Sequence, residues 1–328
     1  MLETRFTELI GCAVPIQQAG MGPHANPGLA AAVANAGGLG TVSVYGSTGG
    51  PPAHVARKLE RTRERTAGAF GANFILRFME PELVHETVNA AALVADVVEF
   101  FYSDPDPVLV GLVHEGGALA CWQVGSRDEA LAAVDAGCDF IVAQSIAAGG
   151  HVRGTVGLLA LLDQVLEAVE VPVLAAGGIG SGRALAAVLA AGADGARVGT
   201  RFLAVREAEA HPDYLQALIA AEAQDTVYTE AFSNGWPDAP HRLLRASLEA
   251  AQAFEGPVVG SVGATWDGER REVLPFSPWG VHKSAEGHIA AMSMWAGESV
   301  GGLTGVQTAV EIIDELVGEA EALLGRWP

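Results

Sequence analysis

The sequence is short of cysteine, with three in 328 residues. Cys12, Cys121 and Cys138 are odd in number and widely spaced, which is neither a disulfide framework nor a zinc-ligand pattern. A reducing cytoplasm is the expected setting. Basic residues are also scarce: 19 Lys and Arg against 39 Asp and Glu leave a net charge of −20. Such a charge repels the phosphates of nucleic acid and of an anionic membrane, so neither is an expected partner. An anionic ligand would have to be held locally, by backbone N–H groups and helix N-termini. The opening MLETRFTELIG lacks the basic, apolar and small-residue order of a signal peptide, and export is not expected. The uncharged stretch from Leu9 to Ala53 is interrupted throughout by Gly, Pro, Gln, Asn and His, and reads as buried strand, helix and loop rather than a membrane span.

Several motifs are missing too. No cysteine flanked by base partners occurs, so nucleophilic catalysis by a thiolate has little support. No G-x-G-x-x-G fingerprint opens the chain. No second histidine or carboxylate stands at metal-ligand spacing from His151, and a metal is not expected.

What is present is alternation. Half of the residues are apolar, enough for a large core, and short β-branched runs alternate with alanine-rich helical segments. Eight strands are expected at Ala13–Gln18, Leu39–Val44, Ala69–Phe74, Val97–Phe101, Ala118–Val124, Asp139–Gln144, Val171–Ala176 and Gly195–Gly199. Ser126 and Ser181 precede helical segments that end in Ala-Gly, and VANAGGLGTV, VDAGCDFIVA and LAAGADGARVG echo one another. The fold class is therefore α/β, a (β/α)8 TIM barrel over residues 1–222. After Phe202 the alternation stops and Gly, Pro and Trp accumulate, so residues 223–291 are expected to form a smaller inserted cap domain. Residues 292–328 return to the barrel, with an amphipathic helix from Leu303 to Leu324.

Barrel sites form at the C-terminal ends of the strands, with phosphate commonly held after strands seven and eight. There the chain has AAGGIGSGR, with Gly177, Gly178 and Gly180, and RVGTRF, with Gly199, Thr200 and Arg201. Either motif alone is an ordinary αβ turn; the two in consecutive loops favour a phosphate. In PIQQAGMG, small residues let a flat ring lie against backbone. Asn73 and Gln123 end strands three and five, where they either hydrogen-bond a heterocycle or satisfy nearby backbone. His151, in AAGGHVRG, is either a solvated loop residue or cap partner, or an acid–base group on the rim. The other histidines, His24, His282 and His288 among them, are read as structural.

PIQQAGMG, GANF, AAGGH, AAGGIGSG and VGTRF, in this order, resemble the nitronate monooxygenase family, formerly called 2-nitropropane dioxygenases. TEAFSNGWPDAPHRLLR and MSMWAGESVGGL also look like family segments. The resemblance implies an FMN-binding barrel with a smaller second domain. Matched motif by motif, Ala19, Gly20 and Met21 would lie against the flavin. Asn73 and Gln123 would contact its ring or ribityl chain, and Gly177, Gly178, Gly199 and Thr200 would hold its phosphate. Gly150 and His151 would flank a small-molecule substrate over the flavin. The implied reaction oxidises an alkyl nitronate with O2 to a carbonyl compound and nitrite. An NAD(P)H-dependent reductase of a quinone or enoyl thioester is the alternative, and a non-catalytic flavin-binding protein a third. The chain departs from the pattern at Ala147, where many relatives are acidic, at Glu298, where they carry Gln, and in the extra Val152. These changes bear on the substrate more than on the cofactor.

Overall fold

Short segments rich in small and apolar residues, buried along nearly their whole length, pair in parallel about a common axis in the computed structural model, which describes residues 2–44, 50–263 and 268–326. They are β1 (Ile16–Gln18), β2 (Gly40–Val44), β3 (Phe70–Ile75), β4 (Val97–Phe101), β5 (Leu119–Val124), β6 (Phe140–Gln144), β8 (Val173–Ala176) and β9 (Gly195–Val198). The two-residue β7 (Gly150–His151) stands outside this sheet. Each expected strand is present, with its ends moved by no more than three residues. The sheet order is β1-β9-β8-β6-β5-β4-β3-β2. A parallel bridge between Gln17 and Leu39 joins its two ends, with the Gln18 N–H donating to Leu39 O at 2.9 Å. The architecture is the (β/α)8 barrel.

Period-two alternation divides each strand's side chains between two layers. Val42, Ala72, Val98 and Ala120 pack outward against the helices. Leu39, Val97, Cys121, Phe140 and Leu174 point inward, and Phe6 of the helix Arg5–Ile10 plugs them from below, its ring 5.5 Å from that of Phe140. The helices start where the sequence provides caps: Ser126 Oγ accepts from the Glu129 N–H, and Ser181 Oγ from that of Ala184. The last helix begins at Ala309 rather than Leu303, because Thr308 and Glu311 form a capping box there. It packs on the helix Gly182–Ala190 and completes the outer ring.

Beyond the barrel, β10 (Thr226–Thr229) and β11 (His241–Leu244) form an antiparallel sheet that takes β7 as its third strand. A second small sheet joins β12 (Gly260–Gly263), β13 (Arg270–Val273) and β14 (Glu286–Gly287). These elements share a core of their own, including Tyr214, Phe232, Leu243 and Met292, whose members run from Leu203 to Leu303, on both sides of 223–291. Residues 264–267 of the cap segment lie outside the described residues. Among the described residues, no helix is long and apolar enough to cross a membrane.

Candidate active site

The C-terminal ends of the strands open into a cavity beneath the cap, with about 1170 Å³ of empty space that includes its opening to solvent. Ala19, Gly20 and Met21 line it from the end of β1, Asn73 from β3 and Gln123 from β5. Gly150 and His151 line it from β7, Gly177 and Gly178 from the turn after β8, and Gly199 and Thr200 from the turn after β9. These eleven residues, each expected from the sequence to contact flavin or substrate, thus meet at one space, whereas Gly180 and Arg201 do not line it. The cap closes it with Trp236, Trp279 and Trp295.

At the end of β1 the backbone runs directly over Asn73. A Cβ on Gly20 would lie 2.2 Å from Asn73 Oδ1, so only glycine fits. Asn73 Nδ2 in turn donates to Glu99 Oε1 at 2.5 Å, inside the barrel. Gly20→Ala is therefore expected to push Asn73 off Glu99, leaving a buried carboxylate short of a donor. Urea unfolding should register a loss of roughly 1–3 kcal/mol.

The turn after β8 needs glycine for a different reason: Gly177 and Gly178 have φ of +103° and +76°. It leads into the Ser181-capped helix, so backbone N–H groups gather where a phosphate could be held. Thr200 Oγ1 accepts from the Gly297 N–H at 2.9 Å and retains its own proton to donate. Arg201 turns away, donating to Gly302 O at 2.6 Å and Glu315 at 2.7 Å, and ties the barrel to the last helix.

His151 does not stand on a pliable solvated loop. Its backbone pairs with His241, Gln144 Nε2 donates to its carbonyl at 3.0 Å, and the next residue, Val152, is fully buried and donates to Pro240 O at 2.8 Å. The imidazole stacks on Trp236, centroids 3.7 Å apart, with Trp295 at 5.2 Å and Tyr102 at 5.9 Å. Tyr102 holds a left-handed φ of +63°, a strained backbone at the site's edge. His151 Nε2 is buried with no hydrogen-bond partner among the described residues. Burial, helped by His241 nearby, pushes the ring well below its usual pKa, so it is neutral. Two departures from the family pattern also meet here: the Glu298 N–H donates to Ala147 O, and the Glu298 carboxylate pairs with Arg242 at 3.1 Å.

The sequence reading passed over several wall residues. Gln144 was findable, since it ends β6 much as Gln123 stands one residue before the end of β5. Trp236, Trp295 and His24 had no local signal. His24 is 3% exposed, donates through Nδ1 to Ala208 O, and is pushed by burial, and then by His282, down to about 4. An unfolded histidine titrates near 6.5, so the fold is fully favoured above that pH and loses stability as pH falls toward 4. His24 alone is worth about 3 kcal/mol of this loss. His24→Leu should flatten the decline in urea midpoint between pH 7 and 4.5. Among the described residues, no group of three His, Cys, Asp or Glu could hold a metal ion.

The profile of the nitronate monooxygenase family matches residues 3–93 and 84–319. The chain belongs to the nitronate monooxygenase family. A probable nitronate monooxygenase of Staphylococcus aureus is 30% identical over 70% of this chain and 76% of its own. The (3aS,4S,5R,7aS)-5-hydroxy-7a-methyl-1-oxo-octahydro-1H-indene-4-carboxyl-CoA dehydrogenase of Rhodococcus jostii is 29% identical over 97% of this chain and 96% of its own. Among solved structures, FabK from Thermotoga maritima superposes with a TM-score of 0.80 at 30% identity, covering 99% of this chain and 98% of that one. Nitroalkane oxidase from Streptomyces ansochromogenes gives 0.73 at 27%, covering 98% and 99%. As a member of the family, the chain is a flavin-dependent oxidoreductase acting on small molecules.

Proposed function

We propose that this family member binds FMN in the cavity and oxidises alkyl nitronates with O2 to a carbonyl compound and nitrite. The observation that carries the reading is His151: a neutral imidazole on the cavity wall, clamped by Trp236, with a buried nitrogen that has no partner among the described residues. The site fits the cofactor. Gly20 leaves room for the Asn73 side chain on the cavity wall, where any Cβ would displace it, and the glycine turns after β8 and β9 suit one terminal phosphate. Ala19, Gly20 and Met21 would support the ring, Asn73 and Gln123 its polar edge or ribityl chain, and Gly177, Gly178, Gly199 and Thr200 the phosphate. Bound FMN would supply electron acceptance and the reaction with O2.

The chain's own part is position and proton handling. Gly150 lets substrate approach closely, and His151 orients an anionic nitronate or takes the α-proton of a neutral nitroalkane. Trp236, Trp279 and Trp295 keep bulk water from the reacting carbon. An enoyl- or acyl-thioester reading, with NAD(P)H as reductant, is favoured by one observation: the CoA-ester dehydrogenase aligns over 97% of the chain.

Heat release and chromatography of the bound flavin should give FMN and not FAD, since no dinucleotide fingerprint is present. Anaerobic mixing then separates the readings. A nitronate should bleach the flavin within seconds while NADH and NADPH do not. Bleaching by a pyridine nucleotide alone, followed by reoxidation with an enoyl thioester, would replace the first reading by the second.

A further inference from the structure

Arg197 and Glu99 face one another inside the barrel, and the proposed turnover uses neither. Glu99 is fully buried and Arg197 is 5% exposed. Glu99 Oε1 accepts from Asn73 at 2.5 Å, and Oε2 accepts from Gln17 Nε2 at 2.8 Å and also pairs with the Arg197 guanidinium. Two hydrogen bonds and one ion pair thus hold the carboxylate. The guanidinium is different: it carries five N–H donors, its partner among the described residues is Glu99, and it forms part of the cavity wall. Glu99 does not reach that wall.

A buried ion pair is a poor way to stabilise a fold, because desolvation offsets the attraction. The inward side chains around and below it, Val97, Cys121, Phe140 and Leu174, with Cys121 the register partner of Glu99, are apolar and show what would fill the barrel for stability alone. Position supplies the other reason. Arg197 and Gln17 are register partners, and each lies two residues before the backbone, Gly199 and Ala19, that lines the cavity. The backbone of Arg197 therefore sits one inward side-chain step, roughly 6–7 Å along the strand, beneath that surface, and its side chain reaches the cavity wall.

We propose that Arg197 is the cation that favours the electron-rich reduced flavin over the oxidised one, and that Glu99 sets how much of its charge the cofactor feels. The inference rests on the reading that the flavin occupies this cavity. A fixed positive charge in a water-poor interior stabilises negative charge added beside it far more than it would in water. The adjoining carboxylate, held by Asn73 and Gln17, opposes that effect.

The test is the midpoint potential of the FMN-loaded protein, with oxidised FMN affinity and urea unfolding of the FMN-free chain measured beside it. Arg197→Gln should lower the preference for reduced over oxidised flavin at least about tenfold, which is about 30 mV for a two-electron couple. Glu99→Gln, which keeps the shape and removes the opposing charge, should raise it, and Arg197→Lys should hold it near the unmodified value. A destabilised FMN-free chain with an unmoved potential in Arg197→Gln and Glu99→Gln would make the pair a strut and overturn the proposal. If the unmodified protein takes up no flavin, the cavity reading falls and this one with it. If flavin binds and Gly178→Asp releases it, while the Arg197 and Glu99 potentials do not move, this inference alone fails.

Discussion

His151→Asn is expected to slow oxidation of a neutral nitroalkane by roughly 10²- to 10⁴-fold, the usual worth of a positioned base, while a preformed nitronate loses much less. The two substrates differ by one proton. Asparagine still donates a hydrogen bond to the anion but cannot take up a proton in this pH range, so the pair of substrates separates orientation from proton transfer. Burial makes His151 a weak base in isolation. The nitronate formed beside it would be the counter-ion that lets the buried imidazolium persist. The acid limb of kcat/KM for the nitroalkane should accordingly lie below the ordinary histidine value of 6.5, because the free enzyme's ring resists protonation until lower pH. Steady-state rates at saturating FMN decide it. Equal, small losses on both substrates would remove the base role.

Gly178→Asp should weaken FMN binding by roughly 10²- to 10³-fold, as expected for a carboxylate near 4 Å from a phosphate charge at a partly screened site. The substitution is clean because Cβ at this position would meet only Ala147 Cβ, at 3.4 Å. Aspartate also tolerates the left-handed backbone better than most residues, so the φ of +76° costs only about 1 kcal/mol. Gly177 offers no such test, since a Cβ there would lie 2.5 Å from Ser145 Oγ and 2.8 Å from the Ala148 nitrogen. Fluorescence titration of FMN, with unfolding of the flavin-free chain as control, measures the effect. Unchanged affinity in a folded variant would reject the phosphate assignment.

The order of strands and the glycines that end them were legible because both are local. A run such as VVEFF, buried at every position, needs no knowledge of its neighbours to read as a central strand, and a serine cap is recognisable one turn ahead of its helix. Once the βα units are counted, barrel closure is forced, and it brings Ala19, Asn73, Gln123, Gly178 and Gly199 to one end because each lies in the last three residues of a strand or within two residues after it. The helix over 309–324 was legible from periodicity, but not its start, which a single capping box decides.

What the sequence by itself determined is thus the barrel, its direction and the set of turns that face the cavity, since these follow from hydrophobic period and turn chemistry along a few residues at a time. Tertiary structure alone decided the state of the groups placed there. His151 reads as a loop residue until β11 pairs with it and Trp236 stacks on it. His24 reads as structural, but only the tertiary structure brings His282 to it and holds it neutral by burial. Glu99 and Arg197 lie on separate strands, and only closure of the barrel makes them a pair. Protonation and charge depend on how much water is excluded and which opposite charge lies within a few ångströms, and both are set by residues remote in sequence.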